Sequence, residues 1–256
     1  MQTRRRLLLK FNSKKRNKMY IKSALTIVTI IFVTTMSSFN FTIKTVFNPK
    51  LQTYCDGLSK EFAQIPTERK EQLNELAQYI ATTKTDGKPV NLLFVCTSNS
   101  RRSHMAQVWA QVAAYYYQIE NVSTFSGGTE QTRVNINAIS ALERAGFEIY
   151  SNKQSDNPLW YVKAGEKNQP WAIFSKKYTD STNPKNSFGA VMVCTEADKG
   201  CPIVDGADYR LGLPYEDPKL FDATPQKDTK YDERCRQIAR EMFYTMELAK
   251  NLIAKK

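Results

Sequence analysis

Cys96 and Arg102 stand six positions apart, and the residues between them are small or polar: Thr97, Ser98, Asn99, Ser100 and Arg101. A thiol followed at that spacing by a guanidinium, with Ser103 next in line, is the material of an anion-binding nucleophile. Backbone N–H groups of so short a loop can turn inward around an oxyanion. Arg102 offers two parallel donors to two oxygens of a tetrahedral anion, and the same positive field favours the thiolate of Cys96. Ser100 or Ser103 can donate a hydrogen bond to the sulfur, and Asn99 tolerates the left-handed backbone that such a loop often needs. A buried structural thiol requires none of this.

Chemistry of this kind needs a strand to deliver the cysteine and a helix to begin at the arginine. Val90–Val95, "VNLLFV", is a continuous apolar run of the type buried in parallel sheets. From Arg102 to about Gln118, residues Met105, Val108, Trp109, Val112 and Tyr116 recur at helical spacing. The helix amino end would add partial positive charge at the loop. Further on, "NVSTFSGGT" reads as a strand and glycine turn, and "NINAISALERAGFEI" as a helix, a Gly stop and a strand. Phe188–Val193 is another buried strand that ends in a cysteine, and an amphipathic helix through Ile238, Met242, Met246 and Ile253 closes the chain. This alternation predicts an α/β domain with a parallel sheet, binding ligands at the strand carboxyl ends.

The net charge of +12 suggests nucleic acid until it is located. The first fifty residues hold eleven Lys/Arg and no carboxylate, which leaves about +1 for the remaining 206. The body is nearly neutral, and a nucleic-acid footprint is not expected. Ser23–Ile43 carries no charge and has a short apolar centre, Ala24–Val33, close to a signal-peptide core. Residues 1–45 therefore read as a basic leader that exports or anchors the chain, with membrane contact through residues 4–43 and the domain outside the cytoplasm. An unstructured cytoplasmic tail is the other reading, and Met19 is a possible start. Residues 46–88 read as a helical extension, broken at Pro66, with Leu73, Leu76 and Ile80 on one face and a turn at Asp86–Pro89. The main domain is expected over 89–256, with an insertion at 151–186. In that insertion "PLWYVKA" and "PWAIFSKKY" flank "GEKNQ", which suggests a hairpin or a lid. Its Trp160, Tyr161, Trp171 and Phe174 either pack it down or line an entrance. Of the five cysteines, Cys55 and Cys235 sit in helical patterns and read as core thiols. His104 is the only histidine and has no partner cluster, so no metal site is expected; Glu233 and Glu241 read as solvated surface.

"VCTSNSRRS" resembles the signature loop of the low-molecular-weight protein tyrosine phosphatases and of the thioredoxin-coupled arsenate reductases that share their fold. "SGGT" at Ser126–Thr129 and "YEDP" at Tyr215–Pro218 resemble two further family motifs. Ser98 replaces the usual Gly, and Arg101 replaces a usual second Cys, which excludes a disulfide within the loop. The resemblance implies a four-stranded parallel sheet flanked by helices, with the extension and the inserted hairpin or lid added. It also implies an oxyanion held by residues 97–103 and Asp217 as the phosphatases' general acid. Cys194 and Cys201, in "VMVCTEADKGCPIV", match the C-x6-C pair of the reductases. By that resemblance Cys96 attacks arsenate, Cys194 attacks Cys96, and Cys201 carries the disulfide outward to a thioredoxin-like reductant across the polar, movable "TEADKG". The alternatives are a phosphatase working through phosphocysteine, and a non-catalytic oxyanion binder. No bound cofactor is expected.

Overall fold

The computed structural model describes residues 47–152, 155–166, 168–201 and 203–255. The leader expected at residues 1–45 lies outside them. Among the described residues no helix is long and apolar enough to cross a membrane.

Four strands, β1 (Val90–Cys96), β2 (Val122–Gly128), β6 (Phe188–Met192) and β7 (Ala207–Gly212), form one all-parallel sheet in the order β2-β1-β6-β7. β1 and β6 are central, and their nearly unbroken apolar runs are buried on both faces. β7 escaped the sequence reading because it is a half-exposed edge with no apolar run. The stretch at Glu148–Ser151, read as a strand of the same alternating series, does form one, β3, but joins a different sheet. It pairs antiparallel with β4 (Trp160–Lys163), which pairs with β5 (Trp171–Ile173). The insertion is thus a hairpin added to β3.

Helix α3 (Arg102–Tyr116) is buried from Arg102 to Ala114, so it behaves as a core helix rather than a surface one. Its two glutamines have a purpose at the edge strand β2: Gln107 donates to the carbonyl of Thr124 and Gln111 to that of Val122. Edge groups that would otherwise lack partners are satisfied there. Helix α4 (Ile136–Ala145) is capped by Asn135, whose side chain accepts from the Asn137 N–H, and ends at Gly146 in the left-handed region, φ +115°. Leu51 N would lie 2.5 Å from a Cβ at Gly146, so only glycine fits.

The extension forms helix α1 (Pro49–Leu58), a 3-10 turn (Ser59–Gln64) and helix α2 (Thr67–Thr85). Helices α2 and α3 both pack on the final helix, α6 (Lys227–Ala254). The core runs through all of them: Tyr54 of α1 stacks on Trp109 of α3, which meets Phe147 and Phe243 edge-on. Trp109 donates its indole N–H to Cys235 Sγ at 3.1 Å. Cys55 and Cys235 are core thiols; burial pushes both upward from the usual thiol range, Cys235 to about 12. Glu241 corrects the surface reading. It is 1% exposed and paired with Arg69 of α2 at 2.8 Å. It sits within the apolar stripe of α6, between Ile238 and Met242, where a carboxylate needs a cation.

Leu76, fully buried on α2, joins the extension to this core. Leu76→Ala is expected to lower unfolding free energy by about 2–5 kcal/mol in a denaturant titration. A loss under 1 kcal/mol would mean that the extension is not part of the cooperative unit.

Candidate functional site

β1 ends at Cys96, and α3 begins at Arg102, so residues 97–101 form a loop at the carboxyl edge of the sheet. The first turn of α3 has no side-chain cap, which leaves its N–H groups to face the loop. Ser103 lies 3.1 Å from Cys96 Sγ, and it, not Ser100, is the hydroxyl beside the sulfur. Asn99 donates through Nδ2 to Ser103 Oγ at 2.9 Å. Asn99 also takes the left-handed corner, φ +41°. Ser98 is outside the positive-φ set, so its replacement of a glycine carries no backbone strain.

Four groups hold the loop from behind. The Lys176 backbone N–H donates to Asn99 Oδ1 at 2.8 Å. Thr132 and Ser175 hydroxyls both donate to the Ser98 carbonyl, at 2.7 and 3.2 Å. His104, fully buried beneath the loop, lies 2.9 Å from the Asn99 carbonyl through Nε2 and 3.1 Å from Ser126 Oγ through Nδ1. A carbonyl only accepts, so Nε2 carries the proton and Nδ1 accepts from Ser126. Desolvation, assisted by the Lys176 charge, pulls His104 down to about 3. Lys176 is itself 4% exposed, over the Phe174 ring at 4.4 Å, and burial draws its ammonium down to about 8. Gly127 and Gly128 of "SGGT" let these layers meet. A Cβ on Gly128 would lie 2.6 Å from the Thr97 carbonyl, and one on Gly127 would lie 2.4 Å from Tyr178 Cα.

Arg102 donates through one terminal nitrogen to the Tyr215 carbonyl at 2.9 Å and through the other to Asp217 Oδ2 at 2.9 Å. Asp217 also caps the 3-10 turn Pro218–Phe221, accepting from the Lys219 N–H at 3.0 Å. A cavity of about 20 Å³ is enclosed by Cys96, Ser98, Ser100, Arg101, Arg102 and Asp217. The Arg102–Asp217 ion pair forms one side of it. Outside lies a cavity of about 650 Å³ that reaches Thr195 and Lys230. The Arg101 side chain turns away from the loop interior, to Tyr231 Oη at 2.8 Å and Asp222 at 3.3 Å.

Cys194 caps the amino end of helix α5 (Thr195–Gly200), its sulfur accepting from the Ala197 N–H, and lies 3.4 Å from Thr97 Oγ1. Cys201, partly exposed, closes the other end of α5. "TEADKG" is therefore helix rather than loose loop. All five cysteines are free thiols. Of the insertion's aromatics, Trp160 lines a second cavity of about 630 Å³ beside Ser98 and Ser100. Tyr161 stacks on Tyr150, Trp171 meets Tyr115 and Phe174 lies under Lys176, so these three pack the insertion down. Sequence reasoning missed Asp222, Tyr231, Lys176 and the pairing of His104 with Ser126 of the "SGGT" motif. His104 carried a local signal, two residues beyond Arg102 on a helix buried from Arg102 to Ala114, and Ser126 opened a quoted motif.

Because His104 stays neutral in the fold down to about 3 but titrates near 6.5 when unfolded, the unfolded chain binds the extra proton between those values. Stability should therefore fall as pH drops below 6.5. His104→Gln retains an N–H donor for Asn99 and should flatten that fall by about 1.4 kcal/mol per pH unit, read from denaturant midpoints at pH 4–7. An unchanged slope would show that His104 is not the titrating group.

No family model matches the chain. Among curated proteins, an arsenate reductase of Staphylococcus aureus is 34% identical over 135 residues, covering 49% of this chain and 82% of that protein. One of Bacillus subtilis is 27% identical over 145 residues, covering 57% and 86%. Solved structures with a similar course include an arsenate reductase in the phosphate-binding state, at 20% identity and TM-score 0.38, covering 65% of this chain and 98% of that one. Another is a low-molecular-weight phosphotyrosine phosphatase from Vibrio cholerae, at 14% identity and TM-score 0.43, covering 62% and 95%. With 34% identity across 82% of the Staphylococcus protein, this chain belongs to the arsenate reductase family.

Proposed function

We propose that this chain reduces arsenate to arsenite through a relay of three thiols. The observation that carries the reading is the placement of Cys194, its sulfur 3.4 Å from Thr97 in the nucleophile loop, with the partly exposed Cys201 at the far end of the same short helix. Arsenate enters the loop as Asp217 releases Arg102, and the backbone N–H groups and Arg102 bind its oxygens. The Cys96 thiolate attacks arsenic, forming an S–As bond as one oxygen leaves as water. The Cys194 thiolate then attacks Cys96 Sγ. The S–As electron pair passes to arsenic, arsenite departs and a Cys96–Cys194 disulfide remains. Cys201 attacks Cys194, which frees Cys96, and a thioredoxin-like dithiol reduces the Cys194–Cys201 disulfide.

The last internal step has a structural requirement. Six helical residues, seven steps of rise, separate Cys194 from Cys201 by roughly 10 Å, whereas a disulfide needs Cα atoms about 4.4–6.8 Å apart. Helix α5 must unwind. Arg210 of β7 ties its carboxyl end down, donating to the carbonyl of Cys201 at 3.0 Å and to the Asp198 carboxylate at 2.7 Å. Those bonds are exposed to competition from water and are the ones to be given up.

The position of Asp217 beside Arg102 also supports a second reading, phosphate-ester hydrolysis with Asp217 protonating the leaving oxygen. That reading gives Cys194 and Cys201 no part. The two are separated by assaying arsenate with a thioredoxin recycling system, and para-nitrophenyl phosphate beside it. Arsenate-dependent NADPH oxidation should fall at least about 100-fold in Cys201→Ser, leaving a single turnover that ends as a Cys96–Cys194 disulfide in peptide mapping. Ester hydrolysis indifferent to Cys201, without arsenate turnover, would establish the phosphatase instead.

A further inference from the structure

The helical extension reaches the site through one side chain. Arg69, on α2, donates through Nε to Glu241 Oε2 at 2.8 Å, through one terminal nitrogen to Gln72 at 3.1 Å, and through the other to the Leu213 carbonyl at 3.4 Å. Its guanidinium carbon lies 4.6 Å from the centre of the Tyr215 ring. Glu241 is fixed in turn by Gln237 at 2.9 Å. A partly buried arginine with a carboxylate, a carbonyl and an aromatic face around it has one orientation, because its planar fork must meet all three together.

Leu213 and Tyr215 belong to the segment between β7 and Asp217. The segment is tied to β6 and its extension by the Leu213 N–H on the Met192 carbonyl at 2.8 Å and the Tyr215 N–H on the Val193 carbonyl at 3.1 Å. The Tyr215 carbonyl is the acceptor that holds one terminal nitrogen of Arg102, and Asp217, two residues on, holds the other. Arg69 thus grips the ring of the residue whose carbonyl aims the anion-binding arginine.

We propose that Arg69 is a positioning residue for oxyanion binding. By clamping Leu213 and Tyr215 it sets the Tyr215 carbonyl, and through it the Arg102 fork, so the extension contributes to the affinity of the loop for its anion. This rests on the reading of the Cys96–Arg102 loop as an oxyanion site, and not on which reaction follows. Arg69 touches neither sulfur nor anion.

The test is the protection of Cys96 from iodoacetamide by inorganic phosphate, with the full chain below its melting temperature. Arg69→Met alone would strand the buried Glu241 carboxylate, so the variant is Arg69→Met with Glu241→Met. Arg69→Lys, which retains a charge for Glu241 but loses the planar fork, is the second variant. Both should weaken phosphate protection, the double variant by about 10-fold and Arg69→Lys by less. Tyr215→Leu should weaken it as well, and its combination with the double variant should be no worse than either, since contacting residues are coupled. Unchanged phosphate protection in either folded Arg69 variant, or full additivity with Tyr215→Leu, would overturn the proposal and leave Arg69 as a clasp for the extension. Wild-type protein that phosphate does not protect would overturn the oxyanion reading itself.

Discussion

The side-chain amide of Asn99 is the constraint on which the rest of the site depends. A five-residue turn from a strand into a helix has to reverse direction in one place, and it does so at the single left-handed residue of the loop. That conformation costs roughly 1 kcal/mol for a residue with a Cβ, and the amide offsets it by bonding on both sides. Its oxygen accepts from Lys176, its nitrogen donates to Ser103, and Ser103 meets the sulfur. One residue therefore sets both the curvature of the anion cradle and the donor beside the nucleophile.

Everything behind the loop serves that geometry. His104 and Ser126 close the hydrogen-bond account of the Asn99 carbonyl in a place that water does not reach. The two glycines of β2 remove the volume that would hold the insertion and the loop apart. In front of the loop the design is looser. Arg102 and Asp217 meet there as a partly exposed ion pair beside the small pocket at Cys96. A rigid back and a yielding front suit an oxyanion site, since donors that need no reorganisation stabilise charge most effectively.

The loop was legible in the sequence because its parts are neighbours. Thiol, polar turn and guanidinium lie within seven residues, and the apolar run and helical spacing on either side place them. The helices of the extension were legible for the same reason. What escaped was non-local. Arg69 and Leu213 are 144 positions apart, and no local pattern joins them. Nothing local marks Lys176, because its burial is decided by strands that meet only in the fold. Glu148–Ser151 could be read as a strand but not assigned to a sheet, since its partner is Trp160–Lys163 in the insertion. Glu241 was misread although the signal was there: a carboxylate inside an apolar stripe implies a buried cation.

The insertion braces the loop mostly with its main chain. Lys176 gives Asn99 a backbone N–H and gives Gly128 a carbonyl, and Tyr178 gives Gly128 a backbone N–H. Such a brace is indifferent to which side chains hang from it, and the hairpin's exposed residues are free to drift, to carry tags or to be exchanged. Its count of residues is not free. Adding or removing one position between β5 and Tyr178 would turn a donor into an acceptor at Asn99, so in this segment the molecule tolerates substitution far better than it tolerates a change of length.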